Sequence, residues 1–280
     1  MHTQERSIES MSSNKTLKLA IVGKGFVGSA VSNGFNENVD QFIIDPKYND
    51  NTLEGMIAFD PSICFICLPT PQQQTHLDVD VNYVRTSLSS LVTLGYKGIV
   101  VIKSTITPNH LTKMKSDFKS LKLVYNPEFL TEANALQDFI EPNMQILGGK
   151  WRDCEAVEKA YIRYSAVKIV PTFKVDLITA SLIKYTINSW LATKVTFFNE
   201  IYDLFKNSGA HASWDQFTEM VKNDPRIGDS HMQVPGTDGK QGFGGHCFPK
   251  DTNALIYYAK LIGVKLDVLD KVIKKNNTYR

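Results

Sequence analysis

The chain has 280 residues, 42% of them hydrophobic, with 31 Lys and Arg against 29 Asp and Glu. This is globular composition with a formal charge of only +2, which excludes a disordered polyelectrolyte and gives no charge argument for a nucleic-acid partner. The longest apolar runs, residues 63–68 and 99–102, are strand-sized and far short of the roughly 20 residues that span a membrane.

Residues 1–16 are polar and mixed in charge. They have no apolar core, so they read as a disordered leader and not a signal peptide, and the protein as cytoplasmic. Residues 17–22 then read as a strand, followed by a glycine-rich turn and a helix over 26–35. Further strands are expected at 41–45, 63–68 and 98–102, with helices over 81–94 and after Pro108, and shorter strands at 121–124 and 144–147. This alternation predicts an α/β fold, a Rossmann-type doubly wound parallel sheet over residues 17–170. Cys64 and Cys67 lie three apart in an apolar strand, on opposite faces, and read as buried hydrophobes; no metal site is expected.

The texture changes after Pro171. From 175 to 207 no proline or glycine interrupts, and apolar residues recur at three and four, which predicts one long helix. Shorter helices are expected at 213–223, 252–261 and 267–275, with a glycine-rich loop over 228–245. Residues 171–280 therefore read as an all-helical central domain. Its long apolar-faced helix needs more cover than so small a domain gives, so it also reads as the seam of a homodimer.

Gly23-Lys24-Gly25-Phe26-Val27-Gly28 follows a strand and opens a helix, where backbone N–H groups can face a pyrophosphate. The first glycine permits the turn, the second lets phosphate approach, and the third lets helix and strand pack closely. Asp45 stands 22 residues after Gly23, placed to accept from both ribose hydroxyls, which favours NAD over NADP; Lys47 tempers the preference. The bland alternative is a tight turn beside a strand-end acid.

The most informative stretch is Gln241-Gly242-Phe243-Gly244-Gly245-His246-Cys247-Phe248-Pro249-Lys250-Asp251. A cysteine just before a helix is expected to gain thiolate character from the helix dipole, with help from Lys250, while Asp251 is near enough to order water or take a proton. Without a cofactor site this would be a flexible loop with a buried cysteine. Beside a hydride acceptor, the thiol points to oxidation through a thiohemiacetal and a thioester.

Taken with further blocks, these motifs resemble the UDP-glucose/GDP-mannose dehydrogenase family. The other blocks are Leu68-Pro69-Thr70-Pro71, Lys103-Ser104-Thr105, Asn126-Pro127-Glu128-Phe129-Leu130-Thr131-Glu132, Lys184 with Asn188, Asn199-Glu200, and Asp224-Pro225-Arg226-Ile227-Gly228. The resemblance implies oxidation of the C6 alcohol of a nucleotide sugar to a carboxylate with two NAD⁺, UDP-glucose being the first candidate. It makes Cys247 the nucleophile and gives Asp251 and Lys184 the proton and the water. Asn188 would bond the reacting oxygen, Thr105 would orient water, and Glu132 would act in thioester hydrolysis.

Gly23, Gly25, Phe26, Val27, Gly28, Asp45, Lys47, Thr70, Pro71, Ser104, Thr105 and Lys250 would hold the cofactor. Glu128, Phe129, Leu130, Lys184, Asn188, Gly242, Phe243 and Gly244 would hold the substrate, and Arg226 would reach that of a neighbouring subunit. Lys184 and Asn188 are four apart, on one helix face, where a desolvated ammonium suits proton transfer.

The chain departs from the family pattern at His246, at Ala133 and in the insert over 232–240. The family also continues into a third domain that closes over the nucleotide, and here the sequence stops at Arg280. A separate chain could supply that wall. Two alternatives stand beside the main reading: an NAD-dependent alcohol dehydrogenase acting on a smaller sugar or hydroxy acid, and a non-catalytic NAD-binding partner subunit.

Overall fold

A computed structural model describes residues 16–35, 38–73, 77–131 and 134–280. The chain alternates β1 (Leu17–Val22), α1 (Phe26–Gly34), β2 (Val39–Ile44), α2 (Leu53–Phe59), β3 (Ile63–Ile66), α3 (Asn82–Thr93), β4 (Ile99–Ile102), α4 (Pro108–Asp117) and β5 (Lys122–Tyr125). It continues with α5 (Ala135–Ile140), β6 (Gln145–Gly149), α6 (Trp151–Tyr164) and β7 (Thr172–Val175). The helices α7 (Leu177–Asn207), α8 (Trp214–Val221), α9 (Phe248–Leu261) and α10 (Asp267–Asn276) follow. The strands form one sheet in the order β2-β1-β3-β4-β5-β6-β7.

Both faces of the sheet are covered, which explains why its central strands read as unbroken apolar runs. Successive side chains alternate between two cores. Ala20, Cys64, Ile66, Val100 and Ile102 pack on one side with Val84 and Leu88 of α3, Met114 of α4 and Tyr185 of α7. Leu19, Ile21, Phe65 and Val101 pack on the other with Val31 of α1, Phe139 of α5 and Val157 and Tyr161 of α6. Cys64 is fully buried as expected, and burial raises its thiol pKa well above the ordinary value.

The sheet departs from the expected all-parallel form at one junction. β5 and β6 run antiparallel, with Val124 opposite Gly149 and Tyr125 opposite Gly148. The connection between them, residues 126–144, holds the six-residue helix α5 and returns the chain antiparallel beside β5. Gly148 is required at this junction, because a Cβ there would lie 2.6 Å from the Cβ of Ala180. β7 pairs in parallel with β6, so the strand system reaches Val175 and not residue 170.

α7 is about 46 Å long by its 31 residues. Asp176 caps it, accepting from the N–H groups of Ile178 and Thr179 at 2.9 and 3.0 Å. Its first turns pack on the sheet through Leu177, Ala180 and Tyr185, and a later turn joins a smaller core of Phe198, Trp214, Met232 and Val234. Lys184 and Asn188 therefore sit where the helix leaves the sheet. Among the described residues no helix is long and apolar enough to cross a membrane.

Candidate active site

A cleft of about 890 Å³ lies at the carboxyl ends of β1, β3 and β4, where an open α/β sheet takes its ligands. At one end is the glycine turn. Gly23 has φ +92°, a left-handed conformation that a side chain would strain, and a Cβ on it would lie 2.7 Å from the carbonyl oxygen of Cys67. Gly25 has open space where its Cβ would be, and α1 starts with no side-chain cap, so its first N–H groups are bare. The Asp45 carboxylate is held at the end of β2 by the backbone N–H groups of Lys24 at 2.6 Å and Lys47 at 2.9 Å. Uncapped N–H groups, open backbone and an anchored acid together fit a dinucleotide.

Gly28 does not line the cleft; it lets α1 approach β1. A Cβ there would lie 1.8 Å from the Gly23 carbonyl oxygen, which no rotamer change relieves. Gly28→Ala is expected to lose ~1–3 kcal/mol of stability by overpacking and to weaken dinucleotide binding. Thermal unfolding with and without NAD measures both; an unchanged midpoint and affinity would contradict the packing role.

Phe26, Val27, Thr70, Pro71, Ser104 and Thr105 line the same cleft. Their loops are tied together: Ser104 Oγ donates to Leu68 O at 2.6 Å, and Thr70 Oγ1 donates to Thr105 O at 2.8 Å. Lys47 instead lies outside, its ammonium 5.6 Å from the Tyr48 ring centroid.

Cys247 forms the other end, beside His246 and Lys250 and at the N-cap of α9. The buried Asp251 accepts from Asn188 Nδ2 at 2.6 Å and pairs with Lys250 Nζ at 2.5 Å. The buried Lys184 pairs with Glu128 Oε1 at 3.4 Å and also donates to the Glu128 carbonyl. The second carboxylate oxygen of Glu128 accepts from Leu130 N at 2.7 Å, which fixes the bend that carries Phe129 and Leu130.

The expected thiolate character of Cys247 is not found. Cys247 is exposed, yet partial desolvation by its neighbours raises the thiol pKa above its ordinary value, and the carboxylates of Asp251 and Glu128 raise it further. Lys184 and Lys250 act in the opposite sense and are outweighed. Their charge is already balanced by their acidic partners, so the helix end and one lysine are not enough.

A second cavity, of about 440 Å³, lies beyond Glu128 and Lys103, which line both spaces. Phe129 and Leu130 border this second cavity, with Ile187 and Leu191 of α7 and His231. Gly242, Phe243 and Gly244 line neither space and form the backing of the nucleophile loop. That backing is clamped by side chains. Asn276 of α10 accepts from Phe243 N at 2.7 Å and donates to Phe243 O at 3.0 Å, while Asn199 of α7 accepts from Gly242 N at 3.0 Å. Arg280 donates to Gly242 O at 2.7 Å. Arg226 is not brought to the cleft; it is 86% exposed and pairs with Asp224. Glu132 and Ala133 lie outside the described residues.

Comparison with known proteins decides the family. The NAD binding domain of the UDP-glucose/GDP-mannose dehydrogenase family matches residues 47–165, and the central domain of the same family matches residues 178–278. The chain belongs to the UDP-glucose/GDP-mannose dehydrogenase family. A UDP-glucose 6-dehydrogenase of Rickettsia conorii is 35% identical over 218 residues, covering 76% of this chain and 48% of the relative. The UDP-glucose 6-dehydrogenase TuaD of Bacillus subtilis is 29% identical over 305 residues, covering 94% of this chain and 63% of the relative. The chain thus spans about half to two-thirds of the length of these curated relatives. A UDP-glucose dehydrogenase structure from Pyrobaculum islandicum shares the fold with a TM-score of 0.80 at 24% identity, covering 95% of this chain and 69% of that one.

Within this family assignment, two positions that shape the cleft and its loop escaped the motif reading. Lys103 was legible only as the first letter of a K-S-T block, yet it is buried and borders both cavities. Asn276 gave no local signal, because its two bonds to Phe243 cross 33 residues of sequence.

Proposed function

We propose that this chain is an NAD-dependent nucleotide-sugar dehydrogenase that oxidises a C6 primary alcohol to a carboxylate, with UDP-glucose the first substrate to test. The observation that carries this reading is a single cleft lined by the bare glycine turn, Asp45, Cys247 and Lys250, with Lys250 tied to the buried Asp251 and through it to Asn188, neither of which lines the cleft. NAD⁺ bound there would supply the hydride acceptor for both oxidations.

In this reading the sulfur of Cys247 adds to the aldehyde carbonyl, and its proton passes to Asp251 or the adjacent water. Lys184 supplies positive charge for the oxyanions, and Asn188 holds the reacting oxygen. Loss of the second hydride leaves a thioester on Cys247. Thr105 orients the water that cleaves it, and Glu132 takes the proton, as the resemblance implies. Glu128 keeps Lys184 in place and partitions cofactor from substrate. We assign the residues through Val175 to cofactor binding and those from Asp176 onward to substrate binding and dimer formation.

The dimer assignment is supported by an exposed apolar stripe on α7, where Trp190, Phe197 and Leu204 are 59%, 54% and 65% exposed. A monomer in light scattering at micromolar concentration would remove it. The activity is tested by incubating the protein with NAD⁺ and UDP-glucose and following NADH release with mass spectrometry of the product. UDP-glucuronate at two NADH per product is the expected result. NAD binding without turnover would overturn the substrate assignment and direct the test to other nucleotide sugars or to a separate nucleotide-binding chain.

A further inference from the structure

Lys103 follows β4 and is only 4% exposed, yet no carboxylate among the described residues lies within ion-pair distance of it. Its ammonium donates to Asn126 Oδ1 at 3.0 Å. That oxygen also accepts from Tyr161 OH at 2.7 Å, and Asn126 Nδ2 donates to Ile146 O at 2.9 Å, so the amide is fixed and acts only as an acceptor toward the lysine. The Phe139 ring of α5 lies 5.9 Å away. Among the described residues, one hydrogen bond thus serves a group with three donors. A structural role there needs only a neutral donor, because burying an uncompensated ammonium is costly.

The position says what the amine is for. Lys103 borders both the cofactor cleft and the second cavity. The groups that act on it electrostatically are Cys67 after β3, Glu128 after β5 and Lys184 of α7, and the last two act on Cys247 as well. It therefore belongs to the nucleophile end of the cleft. Two other cations act on Cys247, the buried Lys184 and the half-buried Lys250; both have acidic partners, and among the described residues Lys103 has none.

We propose that Lys103 is the proton store of the cofactor cleft: it releases a proton when NAD⁺ binds and takes one up when hydride transfer removes the positive charge of the nicotinamide. Its second half rests on the alcohol oxidation proposed above. In that step the C–H electron pair leaves as hydride to NAD⁺, the O–H bond breaks, its proton ends on the Lys103 amine, and the carbonyl forms. No other reactant is consumed. Burial supports the assignment by pushing the ammonium down to about 8, with Cys67 and Glu128 opposing and Lys184 adding to the effect. NAD⁺ is a net anion, but with its pyrophosphate at the glycine turn the positive nicotinamide ring would shift the group further in that direction.

The test is calorimetry of NAD⁺ binding at pH 8 in phosphate and in Tris, whose ionisation enthalpies differ. The protein with its native sequence, and Cys247→Ser to exclude the thiol as the source, are expected to release ~0.3–0.5 proton per NAD⁺ bound. NADH is expected to release none. Lys103→Met is expected to bind NAD⁺ with the same enthalpy in both buffers. Lys103→Arg, which keeps the charge and a donor to Asn126 if the methionine variant fails to fold, is expected to do likewise. A buffer-independent enthalpy in the native sequence, or a release that survives in Lys103→Arg, overturns the proposal. Absence of any NAD⁺ binding would overturn the cofactor reading and this proposal with it.

Discussion

Cys247→Ser is expected to abolish acid formation, lowering its rate by at least ~10³-fold while NAD binding persists. The second oxidation needs a tetrahedral adduct on the enzyme, and a serine hydroxyl at this site lacks a base strong enough to make one. NADH per substrate should therefore fall from two to at most one, with aldehyde released, as mass spectrometry would reveal. The raised thiol also has a kinetic signature. Alkylation of Cys247 by iodoacetamide should climb with pH through and beyond the ordinary thiol range, because only the thiolate reacts. Full conversion to the acid by the serine variant would sink the mechanism, and a rate that levels off near neutral pH would contradict the electrostatics.

Lys184→Met should be the most damaging single change to stability at the site. Glu128 has a side chain only 9% exposed, and Lys184 is its ion-pair partner. Removing one partner of a buried pair leaves a bare charge and costs ~3–5 kcal/mol. Chemical denaturation would measure the loss. Adding Glu128→Gln should recover most of that stability, since the bare charge is gone, but no turnover, since the oxyanion loses its cation. If the double variant is no more stable than Lys184→Met, the pair is not the origin of the loss.

The Rossmann sheet was legible because β1, β3 and β4 are buried on both faces and leave apolar runs that survive any register. β7 was missed because four residues behind a proline look like the approach to a helix, and its pairing with β6 is a tertiary fact. The antiparallel pairing of β6 with β5 is likewise a tertiary fact, which no periodicity reveals. In the site, glycine spacing and the Lys184–Asn188 interval carried their meaning along the chain. The state of Cys247 did not, since it reflects desolvation by neighbouring elements first, then the carboxylates of Asp251 and of Glu128 after β5. Arg226, named from its motif as reaching a neighbouring subunit, lies on the surface with Asp224.

The clamp on Phe243 also has a consequence for synthesis. Its partner Asn276 emerges 33 residues later, and chains are synthesised from the N-terminus at about 5–20 residues per second. The strands and the glycine turn can assemble while the nucleophile loop still waits for its fastening. For a few seconds the nascent protein thus carries an assembled dinucleotide fold beside a Cys247 loop that is not yet fastened.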